Sequence, residues 1–350
     1  MRTLQELLRP NISQLEPYSC ARNEFSGKSA QVFLDANENP YNAPLNRYPD
    51  PLQTELKQHL AQIKGVQPEQ ICLGNGSDET IDLVYRCFCR PGKDNVVAID
   101  PTYGMYKVCA DINDVEYRSV PLNTQFDIQA EAMLDAADAN TKVMWICTPN
   151  NPSGNDLNEQ QIRMILDLFD GIVVIDEAYS DFTHRRAFRY ELNKYPNLIV
   201  LNTMSKAWAL AGIRLGMAFA SKDIIEVFNK VKYPYNINLL TQQKAMDALN
   251  HTLEVSKWVS TIILERSRLM DAFTQLPSCV KVYPSNANFF LTEMIHADDI
   301  YNYLVNKGII VRNRSRVSMC NNCLRITIGT KAENNGLLAA LRIYDIENKK

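Results

Sequence analysis

Three short runs constrain this chain more than any other feature. Val143 to Cys147, Ile172 to Ile175 and Leu198 to Leu201 are apolar at every position, and each gives way to polar residues within three positions. Runs of four or five residues without alternation are too short for a buried helix and read as strands covered on both faces. Ile71 to Leu73, Val96 to Ile99, Val115 to Pro121 and Gly216 to Ala220 extend the series. Helical periodicity fills several of the gaps, at Tyr103 to Ala110, Ile128 to Ala137 and Glu159 to Phe169, with a further helix from about Lys222. Strands alternating with helices predict an α/β fold whose mostly parallel sheet is covered by helices.

Such sheets collect ligands at the carboxyl ends of their strands. The polar residues of this chain fall there. Asn150, Asn151, Pro152, Ser153 and Gly154 follow one run, Asp176, Glu177 and Tyr179 the next, and Ser205 and Lys206 the third. An amide, a carboxylate, a phenol and an amine are thereby offered on one rim. A lysine so close to a strand end can be desolvated, which lowers its pKa and makes it a candidate amine nucleophile. Ser205 and Arg214 can hold an anion. So can the turn Gly74-Asn75-Gly76-Ser77-Asp78, because it opens a helix whose first N–H groups and dipole point outward. That turn matches neither a dinucleotide fingerprint nor a P-loop.

The 350 residues suggest about two domains. Residues 1–30 are polar and broken, with one amphipathic piece at Leu4 to Leu8, and read as an arm that packs with the small domain and the active site. Residues 31–245 read as the large domain. Residues 246–350 read as a small α+β domain, with strands at Phe289 to Thr292, Ile309 to Arg312 and Leu324 to Ile328 and helices at Ala297 to Asn306 and Ala332 to Ile346. A long helical stretch, Asn238 to Phe273, broken near Asn250, bridges the two. Pro40, Pro44, Pro49 and Pro51 forbid a helix through the loop Val32 to Pro51, which carries Asn37, Glu38, Arg47 and Tyr48 and reads as functional. Asp50 and Pro51 look like the cap and first residue of a helix to about Lys64. Arg312 and Arg325, alongside Arg316, make a modest case for an anionic substrate group.

A net charge of −3 gives no global field for nucleic acid or an anionic membrane. No apolar run approaches the about 20 residues of a membrane helix. The nine cysteines, an odd number scattered through core-like segments, read as reduced thiols of a cytoplasmic protein. Cys320 and Cys323 form a lone C-x-x-C without the second pair a structural zinc wants, so no metal is expected.

The motifs TPNNPSG, VVIDEAY and TMSKAWALAGIRLG together resemble the fold type I pyridoxal-phosphate aminotransferases, over essentially the whole chain. ANENP, NRYPD, PTYGMY and CLRITIG narrow the resemblance to the histidinol-phosphate aminotransferases. The resemblance implies a pyridoxal 5'-phosphate cofactor held by Lys206 as a Schiff base, with Lys206 then acting as the proton-transfer base. It implies Asp176 at the pyridine nitrogen, Asn151 and Tyr179 at the 3-oxygen, and Tyr103 on the ring face. Gly76, Ser77, Asp78, Thr203, Ser205 and Arg214 would hold the cofactor phosphate, joined by Tyr48 from a neighbouring subunit, so that a homodimer shares its active sites. For substrate it implies L-histidinol phosphate with 2-oxoglutarate as amino acceptor, in histidine biosynthesis. Arg312, Arg325 and Tyr18 would take the substrate phosphate, and Asn37 and Glu38 would line the imidazole side. An arginine at position 325 equally fits an α-carboxylate. An aromatic or broad-range aminotransferase therefore stays open as an alternative, as does a decarboxylase of amino-acid phosphates on the same scaffold.

Overall fold

The apolar runs become the middle of one seven-stranded sheet. In the computed structural model, which describes residues 2–18 and 32–348, the strands are β1 (Ile71–Asn75), β2 (Asn95–Asp100), β3 (Glu116–Pro121), β4 (Thr141–Cys147), β5 (Ile172–Asp176), β6 (Leu198–Thr203) and β7 (Leu215–Phe219). Their order across the sheet is β1-β7-β6-β5-β4-β2-β3, and only β7 runs against the others. Alternate residues enter opposite cores. Met144, Ile146, Val173, Ile175 and Val200 face one hydrophobic cluster, and Val143, Trp145, Ile172, Val174, Ile199 and Leu201 face the other. Every one of these is fully buried, and each is worth about 1.5–3 kcal/mol of transfer free energy. That double burial explains the unbroken apolar runs.

A second sheet holds β8 (Cys279–Val282), β9 (Phe289–Met294), β10 (Arg312–Asn313) and β11 (Cys323–Thr327) in the order β10-β11-β9-β8, antiparallel throughout. Helices Ala297–Asn306 and Lys331–Glu347 and the end of helix Thr252–Phe273 close its core. Phe289 and Leu291 of β9 belong instead to a core cluster of the large sheet, so the two sheets share a packed seam.

Three expectations need correction, and one strand was unforeseen. The strand expected from Ile309 shrinks to Arg312–Asn313, because the Ile309 amide is drawn back to the Leu304 carbonyl (2.9 Å) to close the preceding helix around Gly308. Strand β8 was not legible, since Val280 and Lys281 are exposed on it and leave no apolar pattern. The helix expected from Pro51 starts at Thr54, because the Asp50 carboxylate folds a turn first, accepting from the amides of Leu52 (2.8 Å) and Thr54 (2.6 Å). The arm also docks elsewhere. Leu7 and Ile12 enter the core beside helix Ser77–Phe88 on the large sheet, and the Arg9 amide donates to the Cys87 carbonyl (3.0 Å). Leu7, Arg9 and Ile12 of the arm therefore pack on the large sheet, and its residues 19–30 lie outside the described residues. Among the described residues no helix is long and apolar enough to cross a membrane.

Candidate active site

The carboxyl ends of β4, β5 and β6 meet at a cavity of about 170 Å³. Asn151, Asp176, Tyr179, Thr203, Ser205 and Lys206 line it, with Ser77, Asp78, Tyr103 and Arg214 from the flanking loops and helix starts. Ten of the expected residues thus converge. The register accounts for it, since Asp176 pairs with Cys147 on one side and Leu201 on the other, and Thr203 lies opposite Gly216.

One end of the cavity is an anion cradle. Helix Ser77–Phe88 begins with no side-chain cap, so its first amides remain available to a ligand. Gly76, at φ +76°, admits the Arg214 guanidinium where a Cβ would collide with it, and a Cβ on Gly216 would strike the Ser77 amide nitrogen. Gly76 donates its own amide to the Arg214 carbonyl (2.7 Å), so it shapes the cradle and offers no free donor. The Thr203 hydroxyl accepts from the Ser205 amide (3.1 Å) and donates to the Ser205 hydroxyl (3.0 Å), fixing that turn. Asp78 cannot hold an anion through its carboxylate. That group accepts from Tyr103 Oη (3.0 Å) and pairs with Arg214 (3.4 Å), orienting both.

Asp176 forms the floor. It is 3% exposed and has no ion-pair partner among the described residues. Its oxygens accept from Tyr106 Oη (2.7 Å) and the Ala178 amide (3.0 Å). Burial pushes its pKa up, opposed by these two bonds, so a buried cationic N–H is the partner that would restore the carboxylate. Lys206 lies with Nζ 5.7 Å from the Tyr179 ring centroid. Burial lowers its pKa, and the Arg325 and Arg214 charges lower it further against the pull of Asp176 and Asp78. The amine is therefore held closer to its neutral, nucleophilic form.

Asn151 links the rim to the second sheet. Its Nδ2 donates to Tyr179 Oη (3.5 Å), and its Oδ1 accepts from Arg325 Nη1 (2.6 Å). The Arg325 guanidinium stacks over Phe289 at 5.1 Å, and Phe289 meets Tyr179 edge-on at 5.0 Å. Arg312 stands directly across from Arg325 on β10, but it is exposed and opens into a groove with Asp298, Tyr301 and Arg316. Asn37, Glu38 and Tyr48 lie outside the cavity and line an open groove of about 720 Å³. There Tyr48 stacks on Tyr235 (4.5 Å), and Glu38 pairs with Arg47 (2.8 Å). Tyr18 is 71% exposed and lines neither pocket.

The residues present fit pyridoxal phosphate. A capless helix start with two serines, a threonine and an arginine suits a phosphate, an unpaired buried carboxylate suits a pyridinium, and a lowered lysine suits a carbonyl. Sequence reasoning missed Tyr106 and Arg314. Tyr106 sits three residues after Tyr103 in PTYGMY, a helical spacing that was the available signal. Its ring stacks on Trp145 (4.8 Å), and its hydroxyl holds Asp176.

Known proteins resemble this chain in sequence and in fold. The model of the aminotransferase class I and II family matches residues 21–341. A histidinol-phosphate aminotransferase of Bacteroides fragilis is 60% identical over 344 residues, covering 98% of this chain and 100% of that one. The crystal structure of the histidinol-phosphate aminotransferase from Clostridium acetobutylicum superposes with a TM-score of 0.80 at 25% identity, covering 87% of this chain and 92% of that one. The enzyme of that name from Sinorhizobium meliloti, in complex with pyridoxal-5'-phosphate, gives 0.80 at 24% identity, with 90% of each chain covered. The chain belongs to the aminotransferase class I and II family and, within it, to the histidinol-phosphate aminotransferases.

Proposed function

We propose that this protein transfers the amino group of L-histidinol phosphate to 2-oxoglutarate, reversibly giving imidazole acetol phosphate and glutamate, in histidine biosynthesis. The observation that carries the substrate reading is the cationic rim. Arg325 lies beside Lys206 and directly across the small sheet from Arg312, with no carboxylate among the charges felt by Arg325. A substrate carboxylate would be matched by one arginine fork, whereas a phosphate dianion calls for more positive charge.

Pyridoxal phosphate would be held by Ser77, Thr203, Ser205, Arg214 and the first amides of helix Ser77–Phe88, with Asp176 below and Tyr103 on its face. When bound it supplies an electron-accepting ring that takes up charge from the substrate carbon bearing nitrogen. Asp176 would keep the ring nitrogen protonated. Asn151 and Tyr179 would donate hydrogen bonds to the cofactor's 3-oxygen. The Lys206 amine would hold and move a proton on its own face of the site. Arg325 anchors the substrate and keeps the Asn151 amide oriented.

Transamination with 2-oxoglutarate tests the reading. The expected kcat/KM for histidinol phosphate exceeds that for phenylalanine and tyrosine by at least about 100-fold, as two charge-assisted contacts would supply. Comparable rates with the aromatic acids would give Arg325 to a carboxylate and move the protein to the broad-range aminotransferases. Carbon dioxide release from an amino-acid phosphate, without a 2-oxo acid, would favour the decarboxylase.

The active unit on this reading is a homodimer, and the exposed groove supports it. Tyr48 is 50% exposed and Leu45 and Leu240 beside it are also exposed, which suits a face covered by a second copy. On this reading Tyr48 completes the partner's phosphate cradle. Tyr48→Phe should weaken cofactor binding about 10-fold in the dimer, read by fluorescence titration of the apoenzyme. Unchanged affinity would remove the cross-subunit contact. The buried free thiols suit a reducing cytoplasmic location.

A further inference from the structure

The mechanism above gives no role to the half-buried cation Arg314. Arg314 follows β10, where one backbone bond ties it to β11 and a second closes a turn in its own loop. Its amide donates to the Cys323 carbonyl (2.8 Å), and its carbonyl accepts from the Val317 amide (2.8 Å). This anchor lies two residues from Arg325. The Nε atoms of Arg314 and Arg325 are both buried, and neither has a hydrogen-bond partner among the described residues. Burial lowers the Arg314 pKa to about 10, and the Arg325 and Arg312 charges add to the shift, so it stays charged at neutral pH. Tyr179, on the cavity wall, feels both Arg325 and Arg314.

Arg185 and Arg266 are treated differently. Arg185, its side chain buried, pairs with Glu177 (2.7 Å) and Asp156 (3.5 Å) and reaches the carbonyls of Thr148 and Arg186. Arg266 donates to the Ala287 carbonyl (2.7 Å). Both are satisfied inside the fold. Arg314 has repelling neighbours and an unpaired buried N–H, which is costly unless a ligand supplies acceptors.

We propose that Arg314 is a third guanidinium for the substrate phosphate, acting with Arg325 and Arg312 to select phosphorylated amines over their unphosphorylated counterparts. The proposal rests on the substrate reading above. A phosphate monoester presents three terminal oxygens and close to two negative charges at neutral pH. Arg325 reaches those oxygens from the floor of the rim, Arg312 from its open edge, and Arg314 closes the remaining side. A carboxylate, with two oxygens and one charge, would leave Arg314 unanswered. Selectivity therefore arises from Arg314 more than from Arg325, which either anion can use.

The test compares the holoenzyme with Arg314→Gln and Arg314→Lys on histidinol phosphate and on histidinol, with inorganic phosphate as competitive inhibitor. In Arg314→Gln the KM for histidinol phosphate should rise about 10- to 100-fold with kcat within about threefold. The inhibition constant for inorganic phosphate should rise in parallel, while kcat/KM for histidinol stays unchanged. Arg314→Lys should restore part of the loss, because it returns the charge without the fork. A variant that loses histidinol and histidinol phosphate equally assigns Arg314 to the fold and overturns the proposal. So does an Arg314→Gln enzyme that keeps the wild-type preference. A wild-type enzyme that does not prefer histidinol phosphate over histidinol overturns the substrate reading itself, before any variant is compared.

Discussion

Lys206→Ala is expected to lower amino transfer by about 10⁴-fold or more, the upper range of what one positioned proton-transfer group supplies. The argument is local. Lys206 follows β6 by three residues, in a turn fixed by the Thr203 and Ser205 hydroxyls. Burial and two nearby guanidiniums, Arg325 and Arg214, lower its pKa. No other lysine lines the cavity among the described residues, so no neighbouring amine can substitute. A second readout is independent of rate. Borohydride treatment of the wild-type holoenzyme should add the mass of one reduced pyridoxal phosphate per chain, located on the peptide containing Lys206. Lys206→Ala should take up cofactor without any borohydride-stable mass increase. A cofactor fixed to another residue, or a variant turning over near the wild-type rate, would end the assignment.

How far the sequence discloses this site depends on which physical constraint writes each residue into it. Asp176, Tyr179, Asn151, Ser205 and Lys206 were legible because each lies within four positions of a buried strand end, and parallel sheets bring such ends to one rim. Their convergence needs no long-range information beyond strand order. Arg325 was legible as a charge on a strand, but its contact with Asn151 spans 174 positions and joins two sheets. Only packing fixes a pair like that. Arg314 was lost because Arg312, Arg314 and Arg316 alternate in one short segment. Sequence cannot say which of three alternating arginines turns inward, and the backbone bond from Arg314 to β11 is tertiary. Asp78 shows the opposite failure. The helix-start motif marks an anion site correctly, yet the carboxylate inside it serves to orient Tyr103 and Arg214. Asn37, Glu38, Tyr48 and Tyr18 lie away from the cavity in a single chain, so their assigned roles depend on a second subunit or on closure of the arm.

Asp176→Asn is expected to keep the cofactor and lose about 10³-fold in turnover, the scale of one preorganised electrostatic contact at a reacting centre. The substitution is nearly isosteric, and the cradle formed by Ser77, Ser205 and Arg214 is untouched. The carbonyl oxygen of the new side-chain amide would still accept from the Ala178 amide. What disappears is negative charge. In the wild type, burial works against the Asp176 carboxylate and raises its pKa, while Tyr106 and Ala178 oppose that shift. A pyridinium proton placed there completes the compensation, and the carboxylate in turn keeps that proton in place. A neutral amide cannot do this, so the ring loses its positive charge and with it the capacity to take up electrons from the substrate carbon. Absorbance titration of the variant should show cofactor binding within about tenfold of wild type, and single-turnover kinetics should show the loss in the chemical step. Wild-type turnover in Asp176→Asn would mean the ring nitrogen needs no proton from this chain. Loss of cofactor with the expected loss of rate would recast Asp176 as a binding residue, and the buried Tyr106–Asp176 pair as its scaffold.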